Sequence, residues 1–410
     1  MGPLLFRPGH QVQLLEGGQE FFSALVQSID DSLHEVRLET YIFSVEGAGQ
    51  QVASALERAA LRGVMVFVLM DGVGTPGLAP HWASRFNAAG VKWRIFSPLG
   101  RFGILVPSRW RRMHRKLCVV DGTVAFCGGI NVLDDYYDPN YGTLESPRFD
   151  FAVRVTGPLV RTAHEATTQF WSRLKAVNLL RQSDFREGWQ ALQEAVRLAR
   201  QGSEGTAAAP EQGVAPLTDA MHADLVLRDN VHNRSRIERS YRQAIGAATQ
   251  EIIIANAYFV PGRKLRRGLI HAAGRGVRVR LLLQGRYEYF MQYHAARPVY
   301  GALLKAGVEI HEYSVSFLHA KVAVIDGHWA TVGSSNLDPL SLLLAREANV
   351  FVDDAEFAVE LRTRLELAMA LGGERIDPAT YANRPWHQLF LDRCAFGLMR
   401  ALLFLTGKRY

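Results

Sequence analysis

The chain carries the same spacing of polar residues twice, once in each half. The two copies of the spacing HxKxxxxD consist of His114, Lys116 and Asp121, and of His319, Lys321 and Asp326. An asparagine follows each histidine by seventeen positions (131 − 114 and 336 − 319), namely Asn131 and Asn336. Two such patterns in register exclude coincidence, so the chain is expected to fold into two related units.

Apolar segments around the two patterns also match. The pairs are VRLETYIF (36–43) with IIIANAYF (252–259), RGVMVFVLMDG (62–72) with RGVRVRLLLQG (275–285), and AAGVKWRIF (88–96) with KAGVEIHEY (305–313). These blocks alternate helical stretches, glycine turns and buried strands, which indicates α/β units. A stretch rich in Gly, Ala and Pro separates them. We therefore predict two homologous domains, residues 1–200 and 217–410, joined by a linker at 201–216.

Each HxK pattern is predicted to begin a β-hairpin. Alternate residues of a strand share a face, so the histidine and the lysine point the same way. The Asp-Gly dipeptide that follows is typical of a two-residue hairpin turn. A turn of that length predicts which residues face each other across each hairpin: Gly129 lies opposite His114, and Ser334 lies opposite His319.

Two histidines, two lysines and two asparagines in one cleft suit a phosphodiester anion. Lysines and amides would hold the non-bridging oxygens. One histidine can attack phosphorus while the other protonates the leaving alcohol, so neither a metal nor another cofactor is predicted. A nucleophilic histidine must also be neutral and oriented by a carboxylate, for which Asp150 and Glu347 are the predicted partners.

Composition limits the class of partner. Lys plus Arg exceeds Asp plus Glu by 47 − 40 = 7, and the isoelectric point is about 9.4, which favours a polyanion such as nucleic acid or an anionic membrane. The three cysteines lack CxxC spacing, which argues against a disulfide framework or a zinc site. No apolar run reaches about 18 residues, although the basic, apolar segment 394–405 suits an amphipathic membrane-associating helix.

These residues resemble the phospholipase D superfamily, in which the HxKxxxxD motif is duplicated. The segments that carry a closer resemblance, to short bacterial cardiolipin synthases, are GHQVQLLEGGQEFF (9–22), RRMHRKLCVVDG (111–122) and HWATVGSSNLDPLSL (328–342). The resemblance implies two α/β/α domains with mixed sheets, related by a pseudo-two-fold axis, with the active site at their interface. It further implies phosphatidyl transfer from one phosphatidylglycerol to another through a phosphohistidine, giving cardiolipin and glycerol.

The resemblance also assigns roles to residues. The catalytic set is His114, Lys116, Asp121, His319, Lys321 and Asp326. The phosphate-binding set is Asn131, Ser334 and Asn336, and the histidine-orienting pair is Asp150 and Glu347. For the two motif aspartates a turn-forming role fits as well as a catalytic one. Gly129 stands where the second repeat has Ser334, which predicts that the phosphate is held asymmetrically.

The segment before the first motif mixes arginines with apolar side chains. We predict that it contacts lipid through Phe102, Ile104, Leu105, Arg109, Trp110, Arg111 and Arg112. Expected partners are phospholipids, phosphatidylglycerol first and phosphatidylethanolamine as an open alternative, and an anionic membrane surface, with no nucleic acid. The expected location is peripheral, on the cytoplasmic face of a bacterial membrane. A phospholipase D that hydrolyses phospholipids and a nuclease of the same superfamily remain the alternative functions.

Overall fold

Helices and strands alternate along both halves of the computed structural model, which describes residues 4–100, 107–181, 193, 220–229, 235–287, 290–338 and 345–405. The first half contains strands β1 (Arg7–Glu16), β2 (Glu35–Thr40), β3 (Met65–Asp71), β4 (Lys92–Phe96), β5 (Arg112–Met113), β6 (Lys116–Val120), β7 (Val124–Gly128), β8 (Tyr137–Asp138), β9 (Gly142–Thr143) and β10 (Phe151–Thr156). Its helices are α1 (Gly17–Asp30), α2 (Ala48–Leu61), α3 (Pro80–Ala89) and α4 (Leu159–Arg181). The predicted linker 201–216 lies outside the described residues.

The second half repeats this order. Its strands are β11 (Met221–Arg228), β12 (Glu251–Asn256), β13 (Arg278–Gln284), β14 (Glu309–Tyr313), β15 (Lys321–Ile325), β16 (Trp329–Gly333), β17 (Ala345–Asp353) and β18 (Gly373–Arg375). Its helices are α5 (Arg236–Ala247), α6 (Arg263–Gly274), α7 (Phe290–Lys305), α8 (Ala355–Gly372), α9 (Pro378–Ala382) and α10 (Trp386–Leu405).

The strands of the two halves join into one mixed sheet. From one side the order is β4-β3-β2-β6-β7-β10-β1, and it continues as β11-β17-β16-β15-β12-β13-β14-β18. In the first half β2, β3 and β4 are parallel, and in the second half β12, β13 and β14 are parallel. The other neighbours in this order are antiparallel, and β5, which lies outside the order, pairs in parallel with β17. The order is symmetric about the seam between β1 and β11, as a pseudo-two-fold relation requires. The predicted fold class is confirmed.

Three buried clusters form the layers of the molecule. One contains apolar residues from the sheets of both halves, including Leu14 and Val153 of the first and Leu225 and Val350 of the second. The other two lie under helices α1–α3 in the first half and α5–α7 in the second. Because the shared cluster joins the halves, the ends of β6 and β15 are fixed relative to each other.

The hairpins that follow the histidines have longer turns than predicted. Val120 pairs with Val124, so three residues connect β6 to β7, and the second hairpin has the same length. The Asp and Gly of each turn both have positive φ, and a third residue, Thr123 in the first hairpin, precedes the next strand. The predicted pairing of Gly129 with His114, and of Ser334 with His319, was therefore wrong by one residue.

Candidate active site

Each motif histidine precedes a buried strand of its own repeat and is anchored to the other repeat. The backbone N–H of His114 donates to the carbonyl of Arg346 at 3.0 Å, and that of His319 donates to Phe149 at 2.9 Å. Strand β5 also pairs with β17 across the interface. The two histidines therefore lie where the repeats meet, as the duplicated pattern predicted.

The carboxylates that orient the histidines are exchanged between the repeats. His114 Nδ1 lies 3.2 Å from Glu347 Oε2, and His319 Nδ1 lies 2.6 Å from Asp150 Oδ2. A carboxylate at Nδ1 favours the tautomer with the proton on that nitrogen, which leaves the lone pair of Nε2 for chemistry. The sequence identified both carboxylates, and the structure determines which histidine each one contacts.

Two lysines are buried beside the histidines. Lys116 is 5% exposed and Lys321 is fully buried, and each ammonium donates to the carbonyl of the histidine two residues before it. Burial, opposed by Glu347 and reinforced by Lys321, lowers the pKa of Lys116 to about 7. Two adjacent buried cations are costly unless an anion joins them, so the site is preorganised for a negatively charged group.

Burial favours the neutral form of both imidazoles in the absence of a bound anion. It lowers the pKa of His319 well below the usual range, and Lys321 and Lys116 lower it further. Burial and Lys116 also lower the pKa of His114, against the opposing effect of Glu347. A neutral imidazole with a free Nε2 can act as a nucleophile or accept a proton.

Ser334 supports Glu347, and its role in phosphate binding stays a prediction. Its hydroxyl donates to Glu347 Oε2 at 2.5 Å and accepts from the backbone N–H of Ala348 at 3.0 Å. The side chain is fully buried. Because the donor and one acceptor site of the hydroxyl are in use, Ser334 positions the carboxylate that orients His114.

In the first repeat, the position that corresponds to Ser334 is Gly129, beside the carboxylate of Asp150. A Cβ atom added at Gly129 would overlap the carboxylate of Asp150. Asp150 is one methylene shorter than Glu347, so it must approach the chain at Gly129 to reach His319. Gly129 and Ser334 therefore differ in how they position a carboxylate, and asymmetric binding of the phosphate stays a prediction.

The two asparagines follow strands β7 and β16 beside the site. Asn131 Oδ1 accepts from the backbone N–H of Ile42 at 3.1 Å, which turns its NH₂ group away from that amide. Asn336 is 2% exposed. Donation of their NH₂ groups to phosphate stays a prediction.

The two motif aspartates lie away from the chemistry, and their predicted catalytic role is corrected. Asp121 directly follows β6, at the hairpin turn. Lys116 stands at the other end of that strand, about 16 Å away at the rise per residue of a β-strand. The Asp121 carboxylate accepts from the backbone N–H groups of residues 33, 34 and 35, each at 2.8 Å. Asp326 binds residues 249–251 in the same way. Both join the hairpin turn to the start of a neighbouring strand.

We expect Asp326→Ala to lower stability without impairing the reaction. Loss of the carboxylate leaves three backbone N–H groups without this acceptor, at a cost of about 1–3 kcal/mol. Burial alone would raise the pKa of Asp326, but the N–H groups of Glu251, Thr249 and Gln250 hold it below the ordinary value. This stabilisation is therefore present above pH of about 4 and is lost as the pH falls further.

Thermal unfolding and turnover of the folded fraction measure these two effects separately. Asp326→Asn is the matched control, because it retains one acceptor oxygen and should lose less stability. A turnover loss of 100-fold in folded Asp326→Ala would restore the catalytic assignment.

The segment predicted to contact lipid is partly described, and two of its arginines bind the protein itself. Arg112 pairs with Asp71 at 3.0 Å, and Arg109 donates to the carbonyl of Leu99 at 2.8 Å. Trp110 is half-buried and Arg111 is exposed. These contacts use only some of the five N–H donors of each guanidinium group, so lipid contact by Arg109 and Arg112 stays a prediction. Phe102, Ile104 and Leu105 lie outside the described residues.

Two residues that sequence reasoning missed support the chain before each histidine. Asp71 Oδ2 accepts from the backbone N–H of Met113 at 2.8 Å, and Gln284 Oε1 accepts from Leu318 at 3.2 Å. Both residues end a buried strand and precede a glycine in the matched blocks VLMDG and LLLQG. That shared position was an available signal.

A family model described as cardiolipin synthase, phospholipase D-like domain, matches residues 25–145 and 241–368. Cardiolipin synthase B of Escherichia coli strain K12 is 38% identical over 402 residues, which are 98% of this chain and 91% of that protein. The chain belongs to the phospholipase D-like cardiolipin synthase family. This membership confirms the family resemblance found in the motifs, and the assignment to an enzyme of this class.

More distant proteins share parts of the sequence or the fold. The probable cardiolipin synthase YwiE of Bacillus subtilis is 29% identical over 91% of this chain and 68% of its own length. The crystal structure of phosphatidylserine synthase from Haemophilus influenzae matches with a TM-score of 0.64 at 13% identity, covering 96% of this chain and 95% of that one. At that identity the match concerns the fold alone.

Proposed function

We propose that the protein transfers a phosphatidyl group from one phosphatidylglycerol to the glycerol headgroup of another, giving cardiolipin and glycerol. The arrangement that supports this most directly is the pair of histidines, His114 and His319, each held by a carboxylate of the other repeat. Membership of the cardiolipin synthase family supports a phospholipid substrate and a transferase reaction.

The first half of the reaction forms a covalent intermediate. Nε2 of one histidine attacks phosphorus, so that a P–N bond forms and the P–O bond to glycerol breaks. The bound phosphodiester anion favours protonation of the other histidine, which then gives its Nε2 proton to the departing oxygen. Lys116 and Lys321 balance the charge that develops on the phosphoryl oxygens.

The second half reverses these steps with a new alcohol. The now neutral second histidine takes the proton of a hydroxyl on the glycerol headgroup of another phosphatidylglycerol. The oxygen attacks phosphorus, a P–O bond forms, and the P–N bond breaks to release the first histidine. One phosphodiester replaces another, so the exchange needs no nucleotide energy source.

Product analysis by mass spectrometry tests the proposal. Purified protein is mixed with phosphatidylglycerol in detergent micelles without added metal, beside a His319→Ala control. We expect cardiolipin and glycerol in equal amounts, absent from the control. Phosphatidic acid without cardiolipin would show that water is the acceptor and would replace the transferase with a phospholipase.

We further propose that helix α10 attaches the protein to the membrane that holds its substrate. An apolar stripe along this helix is exposed at four-residue intervals, with Trp386 at 78% and Phe390 at 64% exposure, then the exposed Cys394, and Leu398 at 53%. The exposed charged side chains in the described part of the helix are Arg393 and Arg400. Apolar side chains flanked by arginines suit the surface of an anionic bilayer. No helix in the described part of the chain is long and apolar enough to cross a membrane.

Replacing Trp386, Phe390 and Leu398 by serine should weaken vesicle binding at least tenfold while preserving turnover in micelles. Loss of that much exposed apolar surface lowers membrane affinity without touching the catalytic groups. Flotation with vesicles of phosphatidylglycerol and phosphatidylcholine measures the binding. Matched replacements at Leu33 and Leu61, which are exposed in the first repeat, are the control. Unchanged flotation of the α10 variant would exclude this helix as the attachment surface.

A further inference from the structure

A small cavity opens in the second repeat beside the chain that carries His319. Its walls come from the ends of β12 and β13 and from one face of α7, and its volume is about 30 Å³. That volume holds one or two groups the size of water. The polar side chains that line it are Tyr258, Gln284, Arg286, Tyr293, Arg297 and Tyr300.

The first repeat has a larger side chain at the position of Ala257. Tyr41 follows β2 at the position that Ala257 occupies after β12, and its ring centroid lies 5.0 Å from that of His114. Ala257 instead lines the cavity, and its backbone N–H donates to the carbonyl of Ala320, next to His319. The position that carries an aromatic ring beside His114 therefore carries a small side chain at the cavity of the second repeat.

A second difference concerns the residues that end β3 and β13. In the first repeat, Asp71 binds Met113 with one oxygen and Arg112 with the other. In the second repeat, Gln284 binds Leu318 through Oε1, while its Nε2 is buried and has no hydrogen-bond partner among the described residues. A buried donor without a partner is costly, so a ligand atom that accepts a hydrogen bond is expected there.

The two arginines that line the cavity already have hydrogen-bond partners in the protein. Arg297 pairs with Glu312 at 2.8 Å, and Arg286 donates to the carbonyls of Ser314 and Val315 at 2.9 and 2.7 Å. The guanidinium groups are thus already engaged, whereas the Gln284 amide is available. An amide donor beside tyrosine rings suits the hydroxyl and methylene groups of a polyol.

We propose that this cavity receives the terminal hydroxymethyl group of the polyol headgroup of the alcohol that leaves or attacks phosphorus. The inference rests on the proposed transferase function. Leaving and attacking alcohols pass the same side of phosphorus in an in-line displacement, so one subsite serves the glycerol released and the glycerol headgroup received. Gln284 donates to a hydroxyl that does not react and so contributes to the selection of glycerol over simpler alcohols.

Headgroup exchange measures this selectivity directly. Phosphatidylglycerol in micelles is incubated with deuterated glycerol or with methanol, and mass spectrometry follows labelled phosphatidylglycerol or phosphatidylmethanol. We expect Ala296→Val, which narrows the cavity from helix α7, and Gln284→Met, which removes the amide, to lower glycerol exchange about tenfold. Transfer to methanol, which has no second hydroxyl, should fall much less, so the glycerol-to-methanol ratio falls in both variants.

The comparison of alcohols separates this proposal from a structural effect. An equal loss for both alcohols would mean that the cavity only supports the chain before His319, and an unchanged ratio would exclude the subsite. Ala83→Val, a half-buried position of helix α3 in the first repeat, should keep the wild-type ratio. A wild-type protein that hydrolyses phosphatidylglycerol without any exchange would instead overturn the proposed transferase function, and the subsite with it.

Discussion

Replacing either His114 or His319 by alanine is expected to lower cardiolipin formation by about 10⁴-fold or more. Without the nucleophilic histidine the covalent phosphohistidine intermediate cannot form. Without the other histidine, neither half of the reaction has its proton donor and acceptor. The two losses should not add in the double variant, because both residues serve one reaction. Initial rates of cardiolipin formation in micelles, followed by mass spectrometry, measure the effect.

A surface pair provides the matched control for these variants. His328 Nδ1 lies 2.7 Å from Asp353 Oδ1, a histidine–carboxylate contact like those of the site, but the side chain is 57% exposed. His328→Ala should retain the wild-type rate. Thermal unfolding of all variants confirms that the loss is chemical. Retention of a tenth of the activity by either catalytic variant would exclude the two-histidine mechanism.

Gly129→Ser should lower the transfer rate by about 10²-fold, although serine stands at the same position of the second repeat. The new side chain would overlap the Asp150 carboxylate and move it away from His319. A catalytic group misplaced by about 1 Å loses activity of this order. The initial rate and its pH profile measure the effect, because loss of the carboxylate contact also changes the titration of His319.

The reciprocal change is the control for this prediction. Ser334→Gly removes the hydrogen bond to Glu347 but introduces no overlap, so a loss of about tenfold is expected. The double variant Gly129→Ser with Asp150→Glu gives the first repeat the pair found in the second, and it should recover at least tenfold over Gly129→Ser alone. Wild-type activity of Gly129→Ser would show that Gly129 does not set the position of Asp150.

The sequence was sufficient for the features that depend on local spacing. The paired HxKxxxxD motifs predicted two related α/β units. The matched apolar blocks predicted their buried strands, because a buried strand is recognised from the pattern of apolar residues along a short segment. His114, His319 and the two lysines were identified from their spacing, and they lie together in the structure. The turn after each motif was predicted one residue too short, because an Asp-Gly pair occurs in hairpin turns of more than one length.

The tertiary structure decided the features that depend on contact between the repeats. Glu347 contacts His114 and Asp150 contacts His319, a crossing that appears only when the two sheets are joined at β1 and β11. The same docking brings Ser334 to Glu347 and leaves the cavity beside Ala257. The sequence by itself thus determined the two half-sites and most of their chemistry. Packing across the pseudo-two-fold interface decided which half supports which histidine, because that geometry is a property of the assembled core.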